Sequence, residues 1–308
     1  MLQIIIFSFN RAIQLDALIA SYKRYWKTSG CKIDVVYNTS SADFQRGYDK
    51  LIEMCASDRD IEFHKEHKAE FSYTCSELTN PYNLRKLISH KYLRHPRTDF
   101  RPLVNSLMKQ SPMDMVMFMT DDSLFIEDVV IPEGVFEWIR EEPSKRQFSL
   151  RIGQGMNNQP AQGVTISGDL LEWNMGDMPK DTNWGYQFSV DAHIYSKERI
   201  LRLYETYLFC NPNSLEGYLC NMIRRREWFN EAKAFKHAKL LSFPINMVQQ
   251  VEDNESMGVS TEMMNDYYLK GYSLEYRMPS VMDAFQVYPD EIYFYKGSER
   301  IVMRICNA

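Results

Sequence analysis

Val116-Met-Phe-Met-Thr-Asp-Asp-Ser-Leu-Phe125 sets two adjacent carboxylates directly behind an apolar run. Met115 to Met119 has the unbroken apolarity of a strand covered on both faces, as inside a parallel sheet. Asp121 and Asp122 fall where such a strand leaves the sheet. Two like charges this close repel each other unless a positive group stands beside them. A divalent cation such as Mn2+ or Mg2+ takes carboxylate oxygens and keeps positions open for phosphate oxygens, so it is one way to supply that charge. The competing structural explanation is an Asx turn with one aspartate capping and the other solvated.

The same kind of strand opens the chain. Leu2 to Phe9 is an Ile-rich apolar run followed by Asn10 and Arg11. Leu15, Leu18, Ile19 and Tyr22 then recur at helical spacing. Ile33 to Tyr37 reads as a second strand, closed by Asn38-Thr-Ser-Ser41, a good cap for a helix with Phe44, Tyr48, Leu51, Ile52 and Cys55 on one face. Ile61 to Phe63 is a short third strand. Helical patterns at Leu84, Leu87, Ile88 and at Leu103, Val104, Leu107, Met108 precede the fourth, Met115 to Met119. Alternation of strand and helix over residues 1–125 predicts a doubly wound, mainly parallel α/β sheet with helices on both faces. Ligands should bind at the carboxyl ends of its strands. Ser8-Phe-Asn-Arg11, Asn38-Thr-Ser40 and Asp121-Asp122-Ser123 should therefore meet in space.

Residues 126–308 are less regular and are read as sharing one globular core with residues 1–125. Phe148 to Ile152 reads as a strand, residues 153–168 as a loop, and Trp184 to Tyr195 as strand, loop, strand. Ser214 is expected to cap a long helix reaching about Lys239.

Composition narrows the class. The chain has 308 residues, 44% of them apolar and 25% charged, an ordinary globular balance. A net charge of −5 argues against broad nucleic-acid binding, which calls for a basic face. Six scattered cysteines form no CxxC pair and are read as reduced thiols. No apolar window reaches membrane length, so a cytoplasmic protein is expected, with contact at the inner membrane face left open. No GxGxxG or GxxxxGK[ST] run follows the first strand, so a nucleotide would be held in another way.

Together, "SFNR" with Leu15, Leu18 and Ser21, and the acidic pair after strand four, resemble the GT-A glycosyltransferases that use nucleotide sugars (family 2-like). The resemblance covers residues 1–125 and implies that they form the donor-binding half, with residues 126–308 as the acceptor-binding half of the same globular domain. It implies a sugar transferred from a nucleotide-diphosphate donor, UDP-sugar favoured, to a hydroxyl of a glycan or glycolipid, as in surface polysaccharide synthesis. It also implies that Phe9, Asn10 and Arg11 line the nucleotide pocket and that Asn38 sits near the base or ribose. Arg101 would lie near the donor diphosphate, Asp121 would touch sugar or ribose, and Asp122 would bind the metal. Thr120 and Ser123 stand where a strict DxD would carry an acid. That departure keeps open an inert nucleotide- or glycan-binding protein on the same scaffold. A nucleotidyltransferase is disfavoured because "SFNRAIQLD" contains no glycine.

Two carboxylates are candidates for the acceptor base. Glu216 lies near a helix start, where a negative charge also suits the helix dipole. Asp191 interrupts an apolar run. His193 beside it has a structural alternative, as do Trp173 and Trp184, which could stack on a sugar or simply fill the core. Asn246 and Gln249 are candidates to close over a donor. Arg224-Arg225-Arg226 could meet an anionic lipid, or form the solvated face of a helix. His64 and His67 lack a third ligand nearby and read as surface.

Overall fold

The computed structural model describes residues 1–68, 73, 75–89, 93, 98–224, 226–246, 257–279 and 283–305. Its first half follows the pattern above: β1 (Leu2–Phe9), α1 (Ala12–Tyr25), β2 (Cys31–Asn38), α2 (Ala42–Met54) and β3 (Ile61–Lys65). Two short helices, α3 (Cys75–Thr79) and α4 (Pro81–Ser89), precede α5 (Phe100–Gln110), β4 (Met115–Thr120) and β5 (Ser123–Phe125). Then come α6 (Glu133–Glu141), β6 (Arg146–Ser149), β7 (Val164–Ser167), β8 (Leu170–Asn174), β9 (His193–Ser196), α7 (Lys197–Thr206) and α8 (Pro212–Arg224). The chain continues through β10 (Glu231–Phe235), β11 (Leu240–Ser242) and α9 (Thr261–Leu269) to β12 (Ser273–Tyr276), β13 (Glu291–Lys296) and β14 (Glu299–Arg304).

One nine-stranded sheet runs in the order β3-β2-β1-β4-β9-β6-β10-β8-β7. Strands β3, β2, β1 and β4 pair in parallel, and β9 joins β4 antiparallel. Alternate residues of β1 serve two cores. Ile4 and Ile6 pack with α1 and α2, while Ile5 and Phe7 pack with α5, α7 and α8. That double cover is why the run has no polar alternation. Phe118 of β4 lies in the second core, its ring 5.7 Å from both Phe7 and Tyr204. The small sheets β11-β5 and β12-β13-β14 cover the α1 side of the first core.

Turn chemistry places the strand ends. Asn10 takes φ 59° between β1 and α1, the left-handed region that Asn tolerates better than most residues. Ser41 caps α2, its Oγ accepting from the Phe44 amide at 3.4 Å.

The second half departs from expectation in three places. Residues 150–152 lie beyond the end of β6, and only the last part of residues 184–195 forms a strand. The helix expected to reach Lys239 ends at Arg224, and residues 231–235 instead pair with β6 and β8. Glu227 and Phe229, both at φ 55°, turn the chain between them. The helix-favouring composition of "NEAKAFKHAK" hid a strand. Ser214 is not the cap either: the helix starts at Pro212, Asn211 Oδ1 accepts the Ser214 amide at 2.7 Å, and Ser214 Oγ returns to the Asn211 amide at 3.1 Å. Glu216 therefore lies in the second turn, away from the dipole position offered as its structural role.

Phe118→Ala is expected to destabilise the fold by about 3–5 kcal/mol in urea unfolding. Val130→Ala, at a residue 61% exposed, should change stability by less than about 0.5 kcal/mol. Equal losses would show that the β4 interface is not the packed core described.

Candidate active site

The three polar strand ends meet, and Arg11 joins them. Its Nη1 donates to Asp121 Oδ1 at 2.9 Å and to Asp122 Oδ2 at 3.2 Å, while Nη2 donates to the Asn246 carbonyl. The chain itself thus supplies positive charge to the acidic pair. Burial opposes the guanidinium charge, but Asp121 and then Asp122 outweigh it and raise the pKa, so Arg11 stays charged.

The two aspartates differ. Asp121 is 3% exposed, and its second oxygen accepts from Ser8 Oγ at 2.8 Å and the Phe9 amide at 3.2 Å. Its oxygens point into the protein to hold β1 against the loop, rather than outward to a sugar or ribose. Asp122 is more open, with 16% of its side chain exposed; Thr120 Oγ1 donates to its Oδ1 at 2.7 Å. Thr120, the residue where a strict DxD would carry an acid, orients the carboxylate instead.

Asn10 ties the first loop to the second. Its Nδ2 donates to Ser40 Oγ at 2.8 Å, its Oδ1 accepts from the Ser40 amide at 2.9 Å, and its own amide donates to the Asn38 carbonyl. Asn38 Oδ1 accepts the amide of the next residue, Thr39, at 2.8 Å. Phe9 and Asn38 are part-exposed at the adjoining ends of β1 and β2, which pair at these residues.

A second acidic group adjoins the first through Ser123. Ser123 Oγ donates to Asp191 Oδ1 at 2.9 Å, and Asp191 Oδ2 takes Ser242 Oγ at 3.0 Å and Arg151 Nη1 at 2.8 Å. Ala192, at φ 57°, turns the chain from this carboxylate into β9. Glu216 reaches the same neighbourhood from α8, its Oε1 accepting from the Val190 amide at 3.1 Å. Burial raises its pKa above the ordinary glutamate value, against the lowering effects of Arg151, the Val190 amide and Ser189.

Other candidates lie apart or are used structurally. Arg101 pairs with Glu77, donates to the Tyr204 carbonyl at 3.1 Å and lies over the Phe209 ring. Among the described residues it shares no partner with Arg11, Asp121 or Asp122, so the diphosphate contact expected of it has no support in these contacts. His193 is buried between Gln147 at 2.8 Å and Ser149 at 3.0 Å, and burial, then Arg151, lower its pKa to about 3. It is a neutral core histidine. Trp173 donates to the Trp184 carbonyl at 2.9 Å and both rings are buried, so neither is a stacking surface. His64 pairs with Asp34 at 2.9 Å, beside Glu62. Lys32 lies 3.3 Å from Asp34 and 3.0 Å from Glu62, so that small acidic cluster holds a cation of its own. Gln249 and Arg225 fall outside the described residues. Ser123 was placed at this strand end by the sequence, whereas Arg151, Ser189 and Ser242 were missed. A lone arginine after an apolar strand and scattered serines carry no spacing signal, although Arg151 echoes Arg11 in closing a strand with charge.

The parallel block β3-β2-β1-β4, the antiparallel β9 beside β4 and the acidic turn after β4 make a mixed α/β sheet with its polar site at the carboxyl ends of the parallel strands. Among solved structures, the chain is similar to S. aureus TarS 1–349 in complex with UDP, at 14% identity and TM-score 0.44, over 78% of this chain and 59% of that chain. It is also similar to the same fragment in complex with UDP-GlcNAc, at 14% identity and TM-score 0.45, over 78% of this chain and 57% of that one. For S. aureus TarS itself the identity is 14% and the TM-score 0.45, over 87% of this chain and 42% of that one. The chain thus spans less than two thirds of the length of each. No protein-family model and no curated protein matches it.

The raised Glu216 pKa gives a pH prediction. A carboxyl whose folded pKa lies above its unfolded value contributes stability at low pH that is lost as pH rises through the folded value. The window opens at the ordinary glutamate value, 4.5, and extends upward. Glu216→Gln should therefore flatten the fall in melting temperature over that range. An unchanged slope would mean that the part-buried Glu216 is not the titrating group.

Proposed function

We propose that the protein is a glycosyltransferase that moves a sugar from a nucleotide-diphosphate sugar, a UDP-sugar in the first instance, to a hydroxyl of a glycan or glycolipid. The observation that carries this reading is the convergence of Phe9, Asn10, Arg11, Asn38 and Asp122 at the carboxyl ends of three adjacent parallel strands. That is where sheets of this kind bind ligands. The nucleoside lies against Phe9, Asn10 and Asn38, the edge formed by residues 1–125, and the acceptor enters from residues 126–308.

Each Asp122 oxygen already accepts one hydrogen bond and, as an ionised carboxylate oxygen, has capacity for another. Asp122 therefore fits a Mn2+ or Mg2+ ion that takes one protein carboxylate and completes its shell with phosphate and water. Such a cation would neutralise charge on the leaving diphosphate. Arg11 holds Asp122 in place and keeps the loop close to charge balance. Asp121 acts as a positioning residue, locking β1 to the acid loop.

Asp191 is placed as the acceptor base. The acceptor oxygen bonds to the anomeric carbon as the carbon–oxygen bond to the diphosphate breaks; the diphosphate takes the bonding pair and Asp191 takes the hydroxyl proton. This is an inverting displacement. Geometry ranks before pKa in choosing a base. Asp191 shares Ser123 with the acid loop, whereas Glu216 stands behind it by the Val190 amide.

Asp122→Asn should abolish UDP-sugar turnover and the Mn2+-dependent thermal shift produced by UDP, with the melting profile otherwise intact. Asp191→Asn should lower kcat by about 10²–10⁴-fold with donor binding retained. Full turnover in Asp122→Asn would overturn the donor-site assignment. A loss confined to Glu216→Gln would move the base to that residue. Binding without turnover by the wild-type protein across donors and acceptors would favour the inert binding protein instead.

A further inference from the structure

A second charged site lies away from the acid loop, where α7 meets the chain leaving α8. Arg199, Arg202, Arg226 and Trp228 line an open groove of about 420 Å³. The Arg199 guanidinium lies 3.8 Å from the centre of the Trp228 ring and that of Arg226 lies 5.0 Å from it. Two arginines thus share one indole.

The charge there is poorly balanced. Arg202 pairs with Glu198, and Glu205, the carboxylate lining the groove, pairs with Lys109 at 2.7 Å. Among the described residues, neither Arg199 nor Arg226 has a carboxylate within ion-pair distance, and the buried Arg199 Nε has no hydrogen-bond partner. Burial lowers the Arg199 pKa, and the Arg202 and Arg226 charges lower it further, with Tyr207 opposing. Like charges held together are a standing cost unless an anion offsets them.

Backbone geometry fixes the indole between them. Glu227 and Phe229 both take φ 55°, an uncommon conformation for bulky residues, and buried Phe229 packs against Tyr195 and Phe188. Trp228 between them is thereby held toward the arginines. Guanidiniums stacked on a ring keep their edge N–H groups for in-plane acceptors, the geometry that suits phosphate oxygens.

We infer that the Arg199–Trp228–Arg226 groove binds a phosphate-type anion, carried either on the headgroup of an anionic lipid or free in solution. The inference rests on this groove alone and stands whether or not the acid loop binds a nucleotide sugar.

The test uses the full chain and an Arg199→Gln/Arg226→Gln double variant, with Arg226→Gln alone as a variant at an exposed position that leaves the fold undisturbed. One arm measures flotation with phosphatidylcholine vesicles with and without phosphatidylglycerol. The other titrates inorganic phosphate and diphosphate, following Trp fluorescence. Binding to the phosphatidylglycerol vesicles only, weakened about 30-fold in the double variant and partly in the single one, assigns a lipid headgroup. Saturable quenching by phosphate or diphosphate, lost in the variants and without vesicle binding, assigns a free anion. Both signals should fall with added salt, because an ion pair at a part-exposed groove is screened. Absence of both signals in the wild-type chain, or equal signals in all three proteins, overturns the inference.

Discussion

One buried guanidinium organises the carboxyl edge of the sheet. Arg11 reaches from the end of β1 to both aspartates of the acid loop and to the Asn246 carbonyl beyond β11. Strand-end residues far apart in sequence are thereby held by a single planar donor. An isolated buried charge is expensive in a protein interior, so the arrangement persists only because partners meet on several sides. Ser8 and the Phe9 amide complete the set around Asp121, and Tyr48 accepts the Arg11 amide at 3.2 Å.

This clamp explains the division of labour in the acidic pair. Asp121 carries the structural contacts, which leaves Asp122 part-exposed but oriented. A carboxylate fixed in this way needs little reorganisation when a ligand arrives, and preorganised charge is where much of a site's electrostatic power lies. The same economy extends through Ser123 to Asp191 and Arg151, where a second arginine balances a second carboxylate. The site is thus two adjacent ion pairs joined by one serine, with Asp122 and Asp191 as its part-exposed carboxylates.

The first half of the chain was legible because its signals are local and repeated. Unbroken apolar runs fixed strands covered on both faces, helical spacing fixed α1 and α2, and the strand-end rule brought Arg11, Asn38 and Asp122 together. The positive partner of the acidic pair was also in view, in "SFNR", but sequence alone did not show that Arg11 would turn inward to meet it. The second half resisted for physical reasons. Residues 231–235 sit between two strands and owe their conformation to those neighbours, not to helix-favouring Glu, Ala and Lys. Arg151 pairs with Asp191, forty residues away, and no period in the sequence announces such a pair. Arg101, expected just ahead of the helix before β4, lies inside its first turn and pairs with Glu77.

The most direct measurement is a double-mutant cycle on unfolding free energy between Arg11→Gln and Asp121→Asn. Arg11→Gln strips both aspartates of their guanidinium and should cost about 3–5 kcal/mol, while Asp121→Asn leaves Arg11 its Asp122 partner and should cost less. The double variant should recover a coupling energy of about 1.5–3 kcal/mol relative to the sum of the two. Additive costs, with no coupling beyond error, would mean that the guanidinium and the acid loop do not hold each other, contradicting the central claim.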